Sequence, residues 1–301
     1  MSRCLVTGGT GFIGSHLVET LVAAGHSVTV LDDCSTGREA NLLAVRDRIT
    51  LLRGSVTDET VVENAMRGAR WVFHLAALPS VQRSVENPKR THEVCATGTL
   101  NVLEASRRHG INRLVYATSS SAYGDTPGTV HDEDDAVAPL SPYAAAKLAG
   151  EHYCRSFTRV YGLETVRLRF FNIFGPRQRA DSPYSGVIAL FLAALLAGRR
   201  PIVHGDGLQS RDFTYVANAV QALVKAAEAP AASGNVYNIG NGGTTNVLEL
   251  LDQLNGLLGS RLAPEFVPAR PGDVRHSRQI LRGRSAISAT ALMFPLRRVC
   301  G

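Results

Sequence analysis

Short apolar segments alternate with amphipathic stretches from residue 3 to about residue 175. The apolar segments are rich in Val, Leu and Phe and have the length of strands, whereas the stretches between them carry apolar residues at helical spacing. Regular alternation of strands and helices is typical of a parallel sheet covered by helices on both faces. We therefore predict an α/β fold with a doubly wound parallel sheet. The predicted strands read RCLVTG, SVTVLDD, RITLLRG, RWVFHLA, NRLVYATSS and ETVRLRFFN.

The pattern loosens after about residue 175, where loops rich in Gly, Pro and Arg appear. We predict a first domain over residues 1–175 and a smaller α/β lobe over residues 176–301. Helices are expected near 185–198, 216–228 and 246–258. Asn246, followed by Glu249 three positions later, predicts a capping box at the start of the last of these helices.

A glycine-rich turn follows the first predicted strand in VTGGTGFIGSH, with Gly8, Gly11 and Gly14 at regular spacing. Glycine lets the backbone turn sharply and approach a pyrophosphate, which is then bound by the free N–H groups of a helix N-terminus. Asp32 ends the second predicted strand, where a carboxylate binds an adenosine ribose and repels the 2′-phosphate of NADP. The combination predicts NAD binding, although Arg38 leaves NADP as an alternative.

Composition excludes several classes of function. The net charge is +6, from 32 basic and 26 acidic residues, but no basic run is interleaved with aromatic residues, so we expect no nucleic acid partner. The longest apolar run, GVIALFLAALLAG, is too short to span a bilayer, so no membrane partner is expected. The N-terminus enters a strand pattern without a leader, and the cysteines have no metal-ligand spacing, so we expect a reducing cytoplasm and no metal. The five cysteines are Cys4, Cys34, Cys95, Cys154 and Cys300.

Tyr143 and Lys147 are separated by three alanines in SPYAAAKLAGE. Side chains four residues apart lie on the same face of a helix, so the phenol and the ammonium converge on one point. A nearby cation lowers the pKa of a phenol, as a tyrosine needs if it is to act as a base near neutral pH. Hydroxyl residues from Thr118 to Ser121 end a predicted strand, at the sheet edge where ligands bind in open α/β folds.

Seven motifs together resemble those of the extended short-chain dehydrogenase/reductases, specifically the UDP-sugar 4-epimerases. The resemblance extends from residue 3 to about residue 278. It implies a Rossmann-type sheet, a substrate-binding second lobe, and an NAD-dependent isomerase that commonly forms homodimers. The motifs are TGGTGFIG, FHLAA, the serine run, the Tyr143–Lys147 pair, RFFNIFGPRQ, SRDFTYV and RPGDVRHS.

The resemblance implies three catalytic residues. Tyr143 is expected to take the proton of the sugar 4-hydroxyl while hydride passes from C4 to NAD, after which hydride returns to the other face of the 4-keto sugar. Lys147 is expected to lower the pKa of Tyr143 and to hold the nicotinamide ribose. Ser119 is expected to bind O4 and to relay the proton.

The same resemblance implies the binding residues. Asn172 is expected at the diphosphate or the sugar, Arg211 and Arg270 at the phosphates, and Asp273 at the uridine ribose. The expected NAD-binding residues are Gly8, Gly11, Phe12, Ile13, Gly14, Asp32, Asp33, Ser55, Val56, Leu75, Ala76, Ala77, Tyr143 and Lys147. The expected UDP-sugar-binding residues are Ser119, Ser120, Ser121, Asn172, Arg179, Val187, Arg211, Arg270, Asp273 and Ser277.

Two positions concern the choice of sugar. Ser277 stands where relatives restricted to UDP-glucose and UDP-galactose commonly have tyrosine, so the resemblance implies room for the N-acetyl group of UDP-N-acetylglucosamine and UDP-N-acetylgalactosamine. Arg179 stands where many 4-epimerases have an acid, and an arginine there suits the carboxylate of UDP-glucuronate as an alternative substrate. Sugar-nucleotide dehydratases place an acidic pair within the serine run, which this chain lacks.

Two of the departures from the family pattern bear on activity. Cys95 replaces a common asparagine near the nicotinamide, so a hydrogen bond to cofactor or backbone is expected to be lost. The sequence after residue 278, RQILRGRSAISATALMFPLRRVCG, does not follow the usual C-terminal pattern. These departures keep open a non-catalytic NAD-binding or regulatory member of the family. A reductase that uses free cofactor is a further alternative.

Overall fold

The computed structural model describes residues 1–124, 130–181, 185–270 and 275–278. Its strands are β1 (Arg3–Thr7), β2 (Ser27–Asp32), β3 (Ile49–Arg53), β4 (Trp71–His74), β5 (Arg113–Ser119), β6 (Thr165–Phe170), β7 (Ile173–Phe174), β8 (Ile202–His204), β9 (Ser210–Arg211), β10 (Thr214–Tyr215), β11 (Val236–Ile239), β12 (Thr245–Asn246), β13 (Glu265–Val267) and β14 (His276–Ser277). Its helices are α1 (Phe12–Ala23), α2 (Glu59–Met66), α3 (Val81–Glu86), α4 (Pro88–His92), α5 (Gly98–Arg108), α6 (Pro142–Tyr161), α7 (Val187–Leu196), α8 (Val216–Glu228) and α9 (Val247–Leu258). Segments of 3-10 helix occupy Glu39–Arg48, Ser120–Tyr123 and Pro230–Ala232, and a π-helical turn over Glu93–Thr97 joins α4 to α5.

A seven-stranded parallel sheet forms the centre of the fold. Its strands lie in the order β11-β6-β5-β4-β1-β2-β3, and each neighbouring pair is parallel. The strand order reverses between β1 and β4, which is where a doubly wound sheet opens a crevice at the carboxyl ends of its strands. The predicted fold class is confirmed.

Both faces of the sheet are covered by helices. On one face, apolar residues of α1 and α8 pack against the sheet, with Leu17 and Leu223 fully buried. On the other face, α2, α5 and α6 contribute a second apolar core that contains Met66, Leu103 and Phe157. Burial on both faces explains why the strands read as nearly continuous apolar runs in the sequence.

The chain after residue 175 contributes to two regions. Strand β11 belongs to the central sheet, and helix α8 packs against it. Helices α7 and α9 and strand β8 form a smaller core around Phe191, Val203 and Leu250. The expected capping box of α9 is present, because Asn246 and Glu249 each accept a hydrogen bond from the other's backbone N–H. The division at residue 175 stays a prediction.

Among the residues that the structure describes, no helix combines the length and the apolarity that crossing a membrane requires. Within the same part of the chain, no group of three or more His, Cys, Asp or Glu side chains is arranged to hold a metal ion.

Candidate active site

A cleft of about 870 Å³ opens at the carboxyl ends of β1, β2, β4 and β5. It extends from the glycine-rich turn to α6 and is bordered on its other side by residues that follow β6. This is the crevice expected from the strand order. Of the predicted site residues, those lining the cleft are Gly8, Gly11, Phe12, Ile13, Gly14, Asp32, Asp33, Ser55, Val56, Leu75, Ala76, Ala77, Ser119, Ser120, Ser121, Tyr143, Lys147, Asn172, Arg179 and Arg211.

The remaining predicted residues lie elsewhere. Val187 is the first residue of α7 and Arg270 ends the described range 185–270, and neither lines the cleft. Asp273 falls outside the described residues. Ser277 lies in β14, where its backbone pairs with that of Arg211 in β9.

At two positions of the glycine-rich turn there is no room for a side chain. Gly8 has a φ of +74°, and a Cβ there would lie 2.7 Å from the backbone nitrogen of Ala76. A Cβ at Gly14 would lie 2.2 Å from the carbonyl oxygen of Gly8. The turn therefore leaves its backbone N–H groups at the start of α1 open to a pyrophosphate, as NAD requires.

Asp32 is held at the end of β2 by the backbone. Its two carboxylate oxygens accept hydrogen bonds from the N–H groups of Thr10 (2.9 Å) and Cys34 (2.8 Å), and the residue is 8% exposed. These bonds hold a negative charge at the edge of the cleft, where it can accept a hydrogen bond from a ribose hydroxyl.

Helix α6 brings Tyr143 and Lys147 to the cleft. The helix begins after Ser141, whose hydroxyl accepts a hydrogen bond from the N–H of Ala144 (3.2 Å), and Pro142 occupies its first position. These are favourable features of a helix N-terminus. The predicted convergence of the phenol and the ammonium at one wall of the cleft follows from this helix.

Burial governs the pKa of both residues. Burial lowers the pKa of Lys147, against the opposing influence of Cys95, Cys154 and Glu151. Burial raises the pKa of Tyr143, and a hydrogen bond from Ser119 lowers it. The Lys147 Nζ lies 4.2 Å from the centre of the Tyr116 ring, which favours the charged ammonium.

The serine run forms a tight turn beside Tyr143. The Ser119 hydroxyl oxygen accepts hydrogen bonds from the backbone N–H of Ser121 (3.2 Å) and from the Ser121 hydroxyl (2.9 Å). Since these bonds occupy the acceptor side of Ser119, its own proton is available to the cleft. Ser119 is therefore placed to donate a hydrogen bond to the phenol or to a ligand oxygen.

A neutral histidine lies behind Lys147. Thr99 donates its hydroxyl proton to the carbonyl of Cys95 (2.7 Å), so His74 Nε2 donates to Thr99 Oγ1 (2.9 Å) and His74 Nδ1 accepts from Thr7 Oγ1 (2.7 Å). Burial, with the Lys147 charge, lowers the pKa of His74 to about 3. The histidine therefore stays uncharged and adds no positive charge beside Lys147.

Cys95 lies in the π-helical turn between α4 and α5, fully buried. Its sulfur accepts a hydrogen bond from the backbone N–H of Leu78 at 3.5 Å. The structure therefore retains a backbone contact at this position, where the sequence had suggested that a hydrogen bond would be lost.

A buried ion pair behind the wall that α6 forms was missed by the sequence analysis. Arg169 donates to Glu151 through Nε (3.0 Å) and Nη2 (2.8 Å), and the two residues are 5% and 2% exposed. The only signal available in the sequence was spacing, since Glu151 follows Lys147 by four positions on the same helix.

The mouth of the cleft carries an exposed charged cluster, in which Arg179 and Arg38, both named from the sequence, meet Asp181, which was missed. Arg179 donates to the Asp181 carboxylate (2.8 and 3.1 Å) and to the Thr36 carbonyl (3.1 Å), and Asp181 also pairs with Arg38. Arg177, in a left-handed conformation (φ +68°), pairs with Glu19 of α1 at 2.6 Å. These contacts join the segment after β7 to the nucleotide side of the cleft.

Comparison with known proteins identifies the family and agrees with the fold. Residues 4–240 match the model of the NAD dependent epimerase/dehydratase family. The chain belongs to this family. Its cofactor is NAD, as predicted, and its motifs are those of the extended short-chain dehydrogenase/reductases.

Three relatives of this family member are particularly informative. The UDP-glucose 4-epimerase of Mycolicibacterium smegmatis is 41% identical over 280 residues, which cover 92% of this chain and 89% of that protein. The structure of the UDP-N-acetylglucosamine 4-epimerase from Methanobrevibacter ruminantium, in complex with UDP-N-acetylmuramic acid, is 37% identical with a TM-score of 0.88, and the match covers 93% of this chain and 89% of that chain. The Thermus thermophilus UDP-glucose 4-epimerase, in complex with NAD, is 37% identical with a TM-score of 0.86, covering 92% and 90% of the two chains.

Proposed function

We propose that the protein is an NAD-dependent UDP-hexose 4-epimerase that acts on UDP-glucose/UDP-galactose and on UDP-N-acetylglucosamine/UDP-N-acetylgalactosamine. The observation that carries the proposal is the arrangement of Tyr143, Lys147 and Ser119 on one wall of the cleft. Similarity to 4-epimerases of both substrate types supports it.

In the proposed reaction, Tyr143 accepts the proton of the sugar 4-hydroxyl, and Ser119 donates a hydrogen bond to O4. NAD held by the glycine-rich turn, Asp32 and Lys147 would supply the acceptor for the C4 hydride and its return to the opposite face of the 4-keto sugar, so no net oxidation would occur. Tyr143 then gives the proton back to O4. Proton transfer by a positioned side chain typically contributes a rate factor of about 10²–10⁴.

Tyr143 needs positive charge to act as the base, because burial raises its pKa. The ammonium of Lys147 supplies such a charge, and the oxidised nicotinamide ring adds another when NAD is bound. Ser119 contributes in the same direction through its hydrogen bond to the phenol. The three effects together favour phenolate only in the complex with oxidised cofactor.

The distribution of acids in the cleft favours epimerisation over dehydration. Among the described residues that line the cleft, the carboxylates are Asp32, Asp33 and Asp181. Asp32 and Asp33 end the nucleotide-binding strand β2, and Asp181 pairs with Arg179 and Arg38 at the mouth. Removal of water across C5 and C6 needs an acid beside the sugar, so the serine turn supports a 4-epimerase.

The hydrogen bonds of Arg179 favour neutral UDP-hexoses over UDP-glucuronate as substrates. Its guanidinium already donates to the Asp181 carboxylate and to the Thr36 carbonyl. Binding the carboxylate of UDP-glucuronate would require these contacts to be exchanged. Ser277, a small residue at the position the resemblance assigns to the C2 substituent, supports acceptance of N-acetylated sugars.

We further propose a homodimer that forms through α6 and α5. Three large side chains of α6, Tyr153, Val160 and Tyr161, are 41%, 70% and 53% exposed. Apolar surface on one helix is suited to pairing with a second copy. The oligomeric state is measured by size-exclusion chromatography with light scattering. A cytoplasmic location stays a prediction.

The proposed activity is tested by mixing purified protein, without added cofactor, with UDP-glucose, UDP-N-acetylglucosamine or UDP-glucuronate. We expect NMR to detect the 4-epimer from the first two substrates. Tyr143→Phe is expected to abolish conversion, whereas Tyr153→Phe, an exposed tyrosine of the same helix, leaves it unchanged. Net reduction that requires added NADH would indicate a reductase. Failure of NAD-loaded wild-type protein to convert any substrate would instead favour a non-catalytic family member.

A further inference from the structure

One face of α6 carries three residues at intervals of four, Tyr143, Lys147 and Glu151. The first two line the cleft, and the third is buried behind it. The Glu151 carboxylate accepts hydrogen bonds from Arg169 Nη2 (2.8 Å) and from Thr118 Oγ1 (2.8 Å). Glu151 therefore connects the catalytic helix to the sheet.

The two partners of Glu151 stand side by side on neighbouring strands. Thr118 of β5 and Arg169 of β6 are paired in register. Thr118 immediately precedes Ser119 in the chain. A single carboxylate thus ties the end of β5, where the serine turn begins, to the helix that carries Tyr143 and Lys147.

The ion pair also contacts the far end of the serine turn. The guanidinium carbon of Arg169 lies 4.7 Å from the centre of the Tyr123 ring, and Tyr123 ends the turn. The Tyr123 hydroxyl donates to Asn238 of β11 at 2.7 Å. Both ends of the turn are therefore fixed by groups that the Glu151–Arg169 pair contacts.

Stability alone does not account for these charges. Replacing a buried ion pair by apolar side chains of similar volume is often neutral or stabilising, because the ions lose their hydration on burial. The pair does what apolar residues cannot do, since its directional hydrogen bonds fix Thr118 and Arg169 relative to α6.

We propose that Glu151 and Arg169 are positioning residues that hold Ser119 at the correct distance from Tyr143 and Lys147. The inference rests on the proposed function for its catalytic consequence. Its effect on Lys147 also concerns NAD binding, which does not depend on the choice of sugar.

The charge of Glu151 has a second consequence. Lys147 is faced by the Cys95, Cys154, Tyr116, Tyr143 and His74 side chains and by Glu151, and the Glu151 carboxylate raises its pKa against the effect of burial. Loss of this negative charge lowers the pKa of Lys147 and of Tyr143 together. The pH profile of kcat is therefore expected to move to lower pH when Glu151 is neutralised.

Three variants separate positioning from stability. Glu151→Gln removes the charge with little change in shape. The double variant Glu151→Leu with Arg169→Met replaces the pair by apolar side chains. Arg113→Met is the matched control, because Arg113 is a buried arginine at the opposite end of β5, where it binds Glu164 and the carbonyls of Ala226, Ala227 and Ala229.

We expect Glu151→Gln and the double variant to lower kcat about 10- to 100-fold, as small displacements of catalytic groups do, with KM changed less than about threefold. NAD affinity of nucleotide-free protein, measured by calorimetry, is expected to fall about tenfold, the loss expected for one misplaced charged contact. In the double variant these losses persist although resistance to urea is restored. Arg113→Met is expected to lower only the resistance to urea and to leave kcat and NAD affinity unchanged.

Recovery of wild-type kcat and NAD affinity in the double variant would overturn the proposal, and so would an equal loss of kcat in Arg113→Met. If the wild-type protein turns over none of the UDP-sugars, the proposed function fails. The positioning role of Glu151 and Arg169 is then tested by NAD affinity alone. Weakened NAD binding in Glu151→Gln and the double variant, but not in Arg113→Met, would still support positioning. Unchanged NAD affinity in these variants would refute it.

Discussion

The inner wall and the mouth of the cleft are both built with arginine and acidic residues, yet water reaches them very differently. At the inner wall the Arg169 and Glu151 side chains are 6% and 3% exposed. At the mouth the Arg38 and Asp181 side chains are 57% and 47% exposed. The Arg177–Glu19 pair lies between these extremes, at 26% and 27%.

This difference in exposure predicts a difference in how much stability is lost when one member of each ion pair is removed. A buried charge that loses its partner has neither water nor a counter-ion, and the free energy of unfolding falls accordingly. An exposed charge is rehydrated when its partner is removed, so little is lost. The same residue types therefore set the geometry at the inner wall and form replaceable contacts at the mouth.

The largest effect is expected from Arg169→Met. This change leaves the Glu151 carboxylate buried without its guanidinium partner, and the free energy of unfolding is expected to fall by about 3–5 kcal/mol. Urea denaturation followed by circular dichroism measures this change. A loss below about 1 kcal/mol would place the buried pair with the exposed ones and remove the contrast between the two regions.

The second largest effect on stability is expected from the protonation of His74 at low pH. Its pKa of about 3 in the folded protein lies below the 6.5 of the unfolded chain, so the unfolded state binds the extra proton. Stability is therefore complete above pH 6.5 and is lost as pH falls towards 3. Between pH 7 and 5 the wild-type protein is expected to lose about 2 kcal/mol more than His74→Gln. Equal slopes of unfolding free energy against pH in the two proteins would contradict the neutral buried histidine.

The half-buried Arg177–Glu19 pair is expected to contribute an intermediate amount to stability. In a double-mutant cycle of Arg177→Met and Glu19→Gln, we expect a coupling free energy of about 1 kcal/mol. The measurement is again urea denaturation, of the two single variants and the double variant. A coupling as large as that of the buried pair would show that exposure does not set the order.

The smallest effect is expected from Asp181→Asn at the mouth. Arg38 and Arg179 are rehydrated when Asp181 loses its charge, so the urea midpoint is expected to stay within measurement error. NAD affinity is expected to change less than about threefold, and the change is expected to disappear in 1 M salt, where the screening length is about 3 Å. A marked loss of stability that persists in high salt would contradict this assignment.

The strands of the first half were predictable because burial on both faces leaves a continuous apolar signal in each of them. Strand β11 (Val236–Ile239) was missed, since its four residues VYNI are too few to reveal a period. The glycine-rich turn, Asp32, and the Tyr143–Lys147 pair were found because their chemistry depends on local spacing. The Glu151–Arg169 pair was not found, because its two members are 18 positions apart and meet only when α6 packs on the sheet.

The sequence by itself determined the fold class, from the alternation of strands and helices, and also the glycine-rich turn and the residues that face the cleft from α6, because these depend on local spacing. Only the tertiary structure decided that Glu151 contacts Thr118 and Arg169, that His74 lies behind Lys147, and that Arg179 turns to Asp181 and Thr36. The reason is physical. Burial and the partners of a charge are set by segments distant in the chain, and these two quantities decide how a charged group behaves.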